Sequence, residues 1–294
     1  MNTFKRLLSV LFAVLAAVCL IAAIAILLRR HAEDAHADRL LESLRPSEAQ
    51  SQPIHSLGEI ADLLASSETP SVEATPSEPS ATLPEPEPVP EPVENPYKAA
   101  YLANTDMAAW IQIPDTPVDY PVMWTPRDEE YYLLRGFDGK SNQNGCLILD
   151  TDSCVNPLTT NLIIHGHNMK SGEMFGSLMK YQNEEYYQAH KEIILYTPEC
   201  QRNYEVIAVF PSQVYKKKDK VFKFYQFFRA DTEEEFDYFY NNIKNLSLYD
   251  TGVTAEFGDH FLTLSTCAYH VTNGRFVVIA KETEPGDAYY PIEK

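Results

Sequence analysis

Hydrophobic and polar positions divide the chain into three stretches with different periods. Residues 7–28 read LLSVLFAVLAAVCLIAAIAILL, 22 positions without a charge. About 20 apolar residues cross a bilayer core as a helix, whereas a cleaved signal peptide has an apolar core of only about 7–15. An uncleaved membrane anchor is therefore expected, with Lys5 and Arg6 before it and Arg29 and Arg30 behind it. Ala35-His36-Ala37 has the small residues of a cleavage site but lies past the two arginines. The free amino terminus adds a positive charge to the short tail 1–6. Counting basic residues on each side then puts that tail in the cytoplasm and the bulk of the chain outside.

Residues 29–96 lose this pattern. Short helices are predicted over Arg39–Arg45 and Leu57–Leu64. Ser66 to Asn95 then carries eight prolines, with Glu as the only charged type. The alternation Pro84-Glu85-Pro86-Glu87-Pro88 supports neither a helix nor a strand ladder; it predicts an extended spacer of about 3.1 Å per residue. The organisation expected is a tail (1–6), an anchor (7–28), a flexible stalk (29–96) and one domain (97–294).

Within that domain the apolar runs are short and rich in β-branched and aromatic residues: Trp110–Ile113, Val118–Met123, Cys146–Asp150, Asn161–His165, Ile193–Thr197, Tyr204–Phe210, Phe261–Thr266 and Phe276–Lys281. Most are bounded by Gly, Pro, Asn or Asp, as strands are. Helical periodicity is confined to Tyr97–Ala109, Glu173–Tyr181 and Thr232–Ile243. Strands that do not alternate with helices indicate a mainly β domain, a closed barrel or a sandwich, rather than a doubly wound sheet.

The composition is that of a globular protein, so a fibrous or wholly disordered chain is excluded. The net charge of −18, from 24 basic and 42 acidic residues, argues against a nucleic-acid partner, which needs clustered cations at phosphates. The one basic cluster, Lys216-Lys217-Lys218 with Lys220 and Lys223, reads as a solvated loop, as a contact for an anionic polymer or lipid headgroups, or as the frame of a substrate groove. The chain has five cysteines; Cys19 lies in the apolar run, and a Cys146–Cys154 bridge is one option left open.

Candidate chemistry gathers at strand ends. Cys267 closes the apolar strand Phe261–Thr266. Arg275 follows eight residues later, just behind Asn273-Gly274, a tight-turn signal. A turn there folds the next strand back and brings the guanidinium to the thiol, where it can hold a developing oxyanion. His165-Gly166-His167-Asn168 closes another apolar strand, and a cysteine nucleophile needs an imidazole that is near in space though remote in sequence. A zinc site from His165, His167 and a Cys is the metal alternative, but no Cys-x-x-Cys or His-x-x-x-His accompanies it; no metal and no cofactor is expected.

Leu264-Ser265-Thr266-Cys267 with Arg275, together with Gly166-His167-Asn168-Met169, resembles the sortase transpeptidases, specifically class B. Trp110-Ile111-Gln112-Ile113-Pro114 and Asp119-Tyr120-Pro121-Val122 are similar to the family's opening strands. Glu130-Tyr131-Tyr132-Leu133 and the strand from Gly145 to Asp150 fit as well. The stretch Pro211–Asp259 is similar to the class B insertion. The sequence departs from the pattern at His165, where an aromatic is expected. The resemblance implies a closed eight-stranded β-barrel with an N-terminal helix and an extra helix before the Cys-bearing strand. It implies that Cys267 attacks the carbonyl of a Thr in a C-terminal sorting motif of a secreted protein. His167 would serve as acid and base, Arg275 as oxyanion partner, and Ser265 and Thr266 as substrate contacts. The acceptor would be an amine of a peptidoglycan precursor, at the outer face of the cell membrane. Two rival readings are a peptidoglycan cross-linking cysteine transpeptidase, which usually carries His-Gly-Cys at its nucleophile, and a non-catalytic stalked surface-binding domain.

Overall fold

The computed structural model describes residues 2–46, 91–269 and 271–293. Helix α1 runs unbroken over Asn2–Leu44, and among the described residues it is the one helix long and apolar enough to cross a membrane. Large side chains along its apolar part, such as Leu15, Ile21 and Leu28, are exposed. Past Arg29 the helix continues on Ala, Leu, Arg and Glu, all strong helix formers, with an Arg29–Glu33 pair at 2.8 Å. Leu40, Leu41 and Leu44 then share one face and pack with Tyr97, Trp110 and Phe137. Arg45 pairs with Asp119 at 2.7 Å, and Asp119 also accepts from Trp110 Nε1 at 2.7 Å. Earlier on the helix, His36 lies 2.9 Å from Asp138, and Lys140 pairs with the same carboxylate at 2.8 Å. Partial burial pushes the Asp138 carboxyl up, but these bonds outweigh it and hold the group at about 2.

The flexible stalk expected over 29–96 is thus corrected at both ends. Its first residues are helix docked on the domain. Near its end, Val93 pairs with Tyr289 and Asn95 donates to the Thr197 carbonyl at 2.8 Å. The expected Leu57–Leu64 helix and the Glu-Pro run Pro84–Pro88 lie outside the described residues.

Among the described residues the domain has eight strands: β1 (Met107–Gln112), β2 (Asp119–Met123), β3 (Leu147–Leu149), β4 (Asn161–Gly166), β5 (Glu192–Tyr196), β6 (Cys200–Gln213), β7 (Phe261–Cys267) and β8 (Gly274–Ala288). They close into a barrel in the order β1-β2-β3-β4-β7-β8-β6-β5, with β2–β3 and β4–β7 parallel. Strand side chains alternate between faces. Leu162 and Ile164 of β4 and Leu262 and Leu264 of β7 fill the interior, while Phe261 faces outward against Phe236, Phe239 and Ile243. Those three belong to α4 (Glu233–Leu246), the expected helix in the connection from β6 to β7. Thr232 caps it, accepting from the Glu235 N–H at 3.3 Å, and three glutamates in its first turn suit the helix dipole.

Helix Tyr97–Ala109 is shorter than its periodicity predicts: α2 spans Lys98–Ala103. The Asn104 side chain accepts from the Asp106 N–H at 2.9 Å and donates to the Phe137 carbonyl at 2.6 Å. This turns the chain, and the next residues pair with β2 instead. The expected Glu173–Tyr181 helix is a 3₁₀ segment at Gly176–Gln182. The short α3 (Glu184–Ala189), capped by Asn183, follows it unannounced, because six residues give too little periodicity to read. All five cysteines are free, so Cys146 and Cys154 are not bridged.

Candidate active site

Because β4 and β7 run parallel with Gly166 opposite Thr266, the residues that follow these two emerge at the same end of the barrel. They are His167 and Cys267. The chain then reverses, with Asn273 at φ 58°, a left-handed conformation that asparagine tolerates. β8 returns with Arg275 directly across from Cys267, and directly opposed residues share a face of the sheet. The face carrying Phe261 also carries Thr263, Ser265 and Cys267, so the thiol is on the outside of the barrel. The same face continues through His165, opposite Ser265, to Ile148, opposite His165. A cleft of about 410 Å³ lies over it, lined by Glu129, His165, His167, Ser265, Cys267 and Arg275 among others. Cys267, His167 and Arg275 therefore share one cleft.

Each is held by the backbone around it. His167 Nε2 lies 2.8 Å from the Leu133 carbonyl. A carbonyl only accepts, so Nε2 carries a proton, and a neutral ring keeps its lone pair on Nδ1. Asn168 Nδ2 donates to the Cys267 carbonyl at 2.7 Å, and Thr266 Oγ1 donates to the Gly166 carbonyl at 2.8 Å. These two bonds tie the ends of β4 and β7 together. Arg275 donates through Nη1 to the Gly274 carbonyl at 3.0 Å. Among the described residues no carboxylate pairs with it, which leaves donors for a ligand.

Of the two expected substrate contacts, Thr266 has its hydroxyl engaged by Gly166. Ser265 differs: it is 2% exposed, and among the described residues its hydroxyl has no hydrogen-bond partner. A buried, unpaired hydroxyl is costly, and a ligand in the cleft relieves that cost.

His165 does not join His167 and a cysteine. Its Nε2 lies 3.2 Å from Asp150 Oδ2, and Glu129 completes a group whose ligating atoms lie within 4.8 Å of one another. Burial pushes the Glu129 carboxyl up, and the neighbouring Asp150 charge adds to this. Sequence reasoning missed Glu129 and Asp150: one sits in the connection from β2 to β3 and the other just past β3, and nothing local marks either. A second cavity, of about 480 Å³, lies between α1 and the barrel. Cys146 on its wall is buried, with its thiol pushed up to about 12.

The sequence model of the Sortase domain matches residues 111–283. Sortase B of Listeria monocytogenes is 29% identical over 184 residues, which is 60% of this chain and 70% of that protein. Sortase B of Staphylococcus aureus is 30% identical over 182 residues, again 60% of this chain and 70% of that protein. The crystal structure of sortase B from Bacillus anthracis in complex with AAEK1 superposes with a TM-score of 0.57 at 32% identity, covering 67% of this chain and 89% of that one. With the closed barrel and the cysteine at the end of β7, these relationships show that the chain belongs to the sortase family of cysteine transpeptidases and, within it, to class B.

Proposed function

We propose that this protein is anchored in the cell membrane by α1 and cleaves a C-terminal sorting motif of secreted proteins after Thr. It then transfers the acyl group to an amine of a cell-wall precursor. The observation that carries this reading is the meeting of Cys267, His167 and Arg275 in one cleft. The Cys267 thiolate attacks the Thr carbonyl carbon. The carbonyl oxygen becomes an oxyanion, which the guanidinium of Arg275 stabilises. As the C–N bond breaks, imidazolium His167 gives its Nδ1 proton to the leaving amine. The product is a thioester on Cys267. The incoming amine loses a proton to His167 and attacks the thioester; the C–S bond breaks and the thiolate returns. Ser265 offers its unpaired hydroxyl to the bound peptide, while Thr266 lines the cleft and ties the strand ends. With the domain on the outer face, both exported proteins and a membrane-borne acceptor arrive at raised effective concentration.

The test uses the full chain in detergent micelles, incubated with a library of Thr-containing peptides. Mass spectrometry is expected to find a thioester on Cys267 and a shortened peptide. No adduct with any peptide would overturn the reading. Neither rival has a supporting observation: Ser265-Thr266 precede the nucleophile in place of His-Gly, and three reactive groups share one cleft.

The carbonyl that orients His167 has a specific weak point. Gly145 sits at φ 61°, and a Cβ there would run into the Leu133 carbonyl. Gly145→Ala is therefore expected to lower kcat/KM by tenfold or more, since a displacement of about 1 Å can cost 10²-fold. An unchanged pH profile of kcat/KM in that variant would separate a general packing defect from a misplaced imidazole.

A further inference from the structure

Across β7 from Arg275 the cleft is charged in the other sense: Glu129 and His165 line it, and Asp150 adjoins them. Glu129 and Asp150 lie within 4.8 Å of each other, with His165 as the third member of the group. Among the described residues no lysine or arginine pairs with either carboxylate; the one ion pair is the 3.2 Å contact of Asp150 with His165. Two half-buried carboxylates that share only an imidazole favour a further cation, since like charges at this distance repel and water is partly excluded. An independent observation points to a ligand at the same place. Ser265, directly across from His165, is 2% exposed, and among the described residues its hydroxyl is unpaired. A peptide strand passing over Ser265 supplies that partner and lies beside the carboxylates.

Position follows from strand geometry. Ser265 precedes Cys267 by about 6.6 Å along β7, and His165 lies about 4.8 Å to the side, so the wall is two to three extended residues from the thiol. Resting on the peptide-cleaving reading above, we propose that the Glu129–Asp150–His165 wall makes the cleft selective for peptides bearing a lysine or arginine within three residues of the scissile Thr. The wall acts on the bound peptide and takes no part in the covalent steps.

The experiment uses the full chain in detergent micelles with EDTA. Peptides differ only in carrying Lys, Gln or Glu at each position within three of the Thr, and kcat/KM is measured for each. At one position Lys is expected to exceed Gln by about tenfold, with Glu poorest. In Glu129→Gln and in Asp150→Asn the Lys-to-Gln ratio falls towards one. Glu129→Lys reverses the preference towards Glu, an outcome that a poorly folded variant does not produce. Cleavage of all peptides with no charge preference overturns this inference and leaves the transpeptidase reading intact. Failure to cleave any peptide or to form any thioester overturns that reading instead. Stoichiometric Zn²⁺ binding to the chelator-free protein, lost in Asp150→Asn, also overturns the inference, because a metal would then occupy the wall.

Discussion

Replacing Cys267 by alanine is expected to abolish thioester formation and to reduce peptide turnover by at least about 10³-fold, the scale on which losing a nucleophile removes covalent catalysis. The loss is chemical rather than structural. The bond from Asn168 is made to the main-chain carbonyl of Cys267, and β7 pairs with β4 and β8 through its backbone, so both survive the change. The thermal midpoint of Cys267→Ala should accordingly stay close to that of the parent. Turnover equal to the parent's would remove Cys267 from the mechanism.

Arg275→Ala is expected to cut kcat by 10²–10³-fold, the range seen when one donor to a developing oxyanion is removed. Arg275→Lys should recover little of this, because an ammonium offers a point charge where the guanidinium offers a fixed fork. The division between kcat and KM locates the contact: a fall in kcat alone means that Arg275 meets the oxygen only as charge develops. A rise in KM means that it already holds the ground-state carbonyl. Stability should change little, since the side chain's hydrogen bond is to the carbonyl of the preceding residue. An Arg275→Ala enzyme within threefold of the parent would show that the oxyanion is stabilised elsewhere.

Much of the barrel is legible in the sequence, because its strands are short runs with clear boundaries. Each of the eight predicted runs overlaps an observed strand, and none overshoots a strand end by more than one residue. The hairpin that sets Arg275 beside Cys267 is also legible, since Asn273-Gly274 is a local signal. What joins His167 to that hairpin is the parallel pairing of β4 with β7. These strands are nearly a hundred residues apart, and no local pattern encodes the pairing; only family resemblance anticipates it. Glu129, Asp150 and the orphan hydroxyl of Ser265 stay hidden for the same reason, because each gains meaning from neighbours brought in by other strands. The lead-in to β1 fails differently. Ala99-Ala100 and Ala108-Ala109 favour helix locally, yet the side-chain bonds of Asn104 and the pairing with β2 prevail.

Docking of α1 also changes what the proline-rich segment can do. Arg45 is fastened to Asp119 and Val93 to Tyr289, so both ends of the intervening stretch are held on the same domain. The distance from the apolar part of α1 to the barrel is then set by the continuation of that helix from Arg29 to Leu44, about 24 Å at 1.5 Å per residue, and under the anchoring proposed above this distance sets the height of the thiol over the bilayer. The number of residues between these two fastened points does not enter that distance. Evolution can therefore lengthen, shorten or rewrite residues 47–90 without moving the cleft relative to α1.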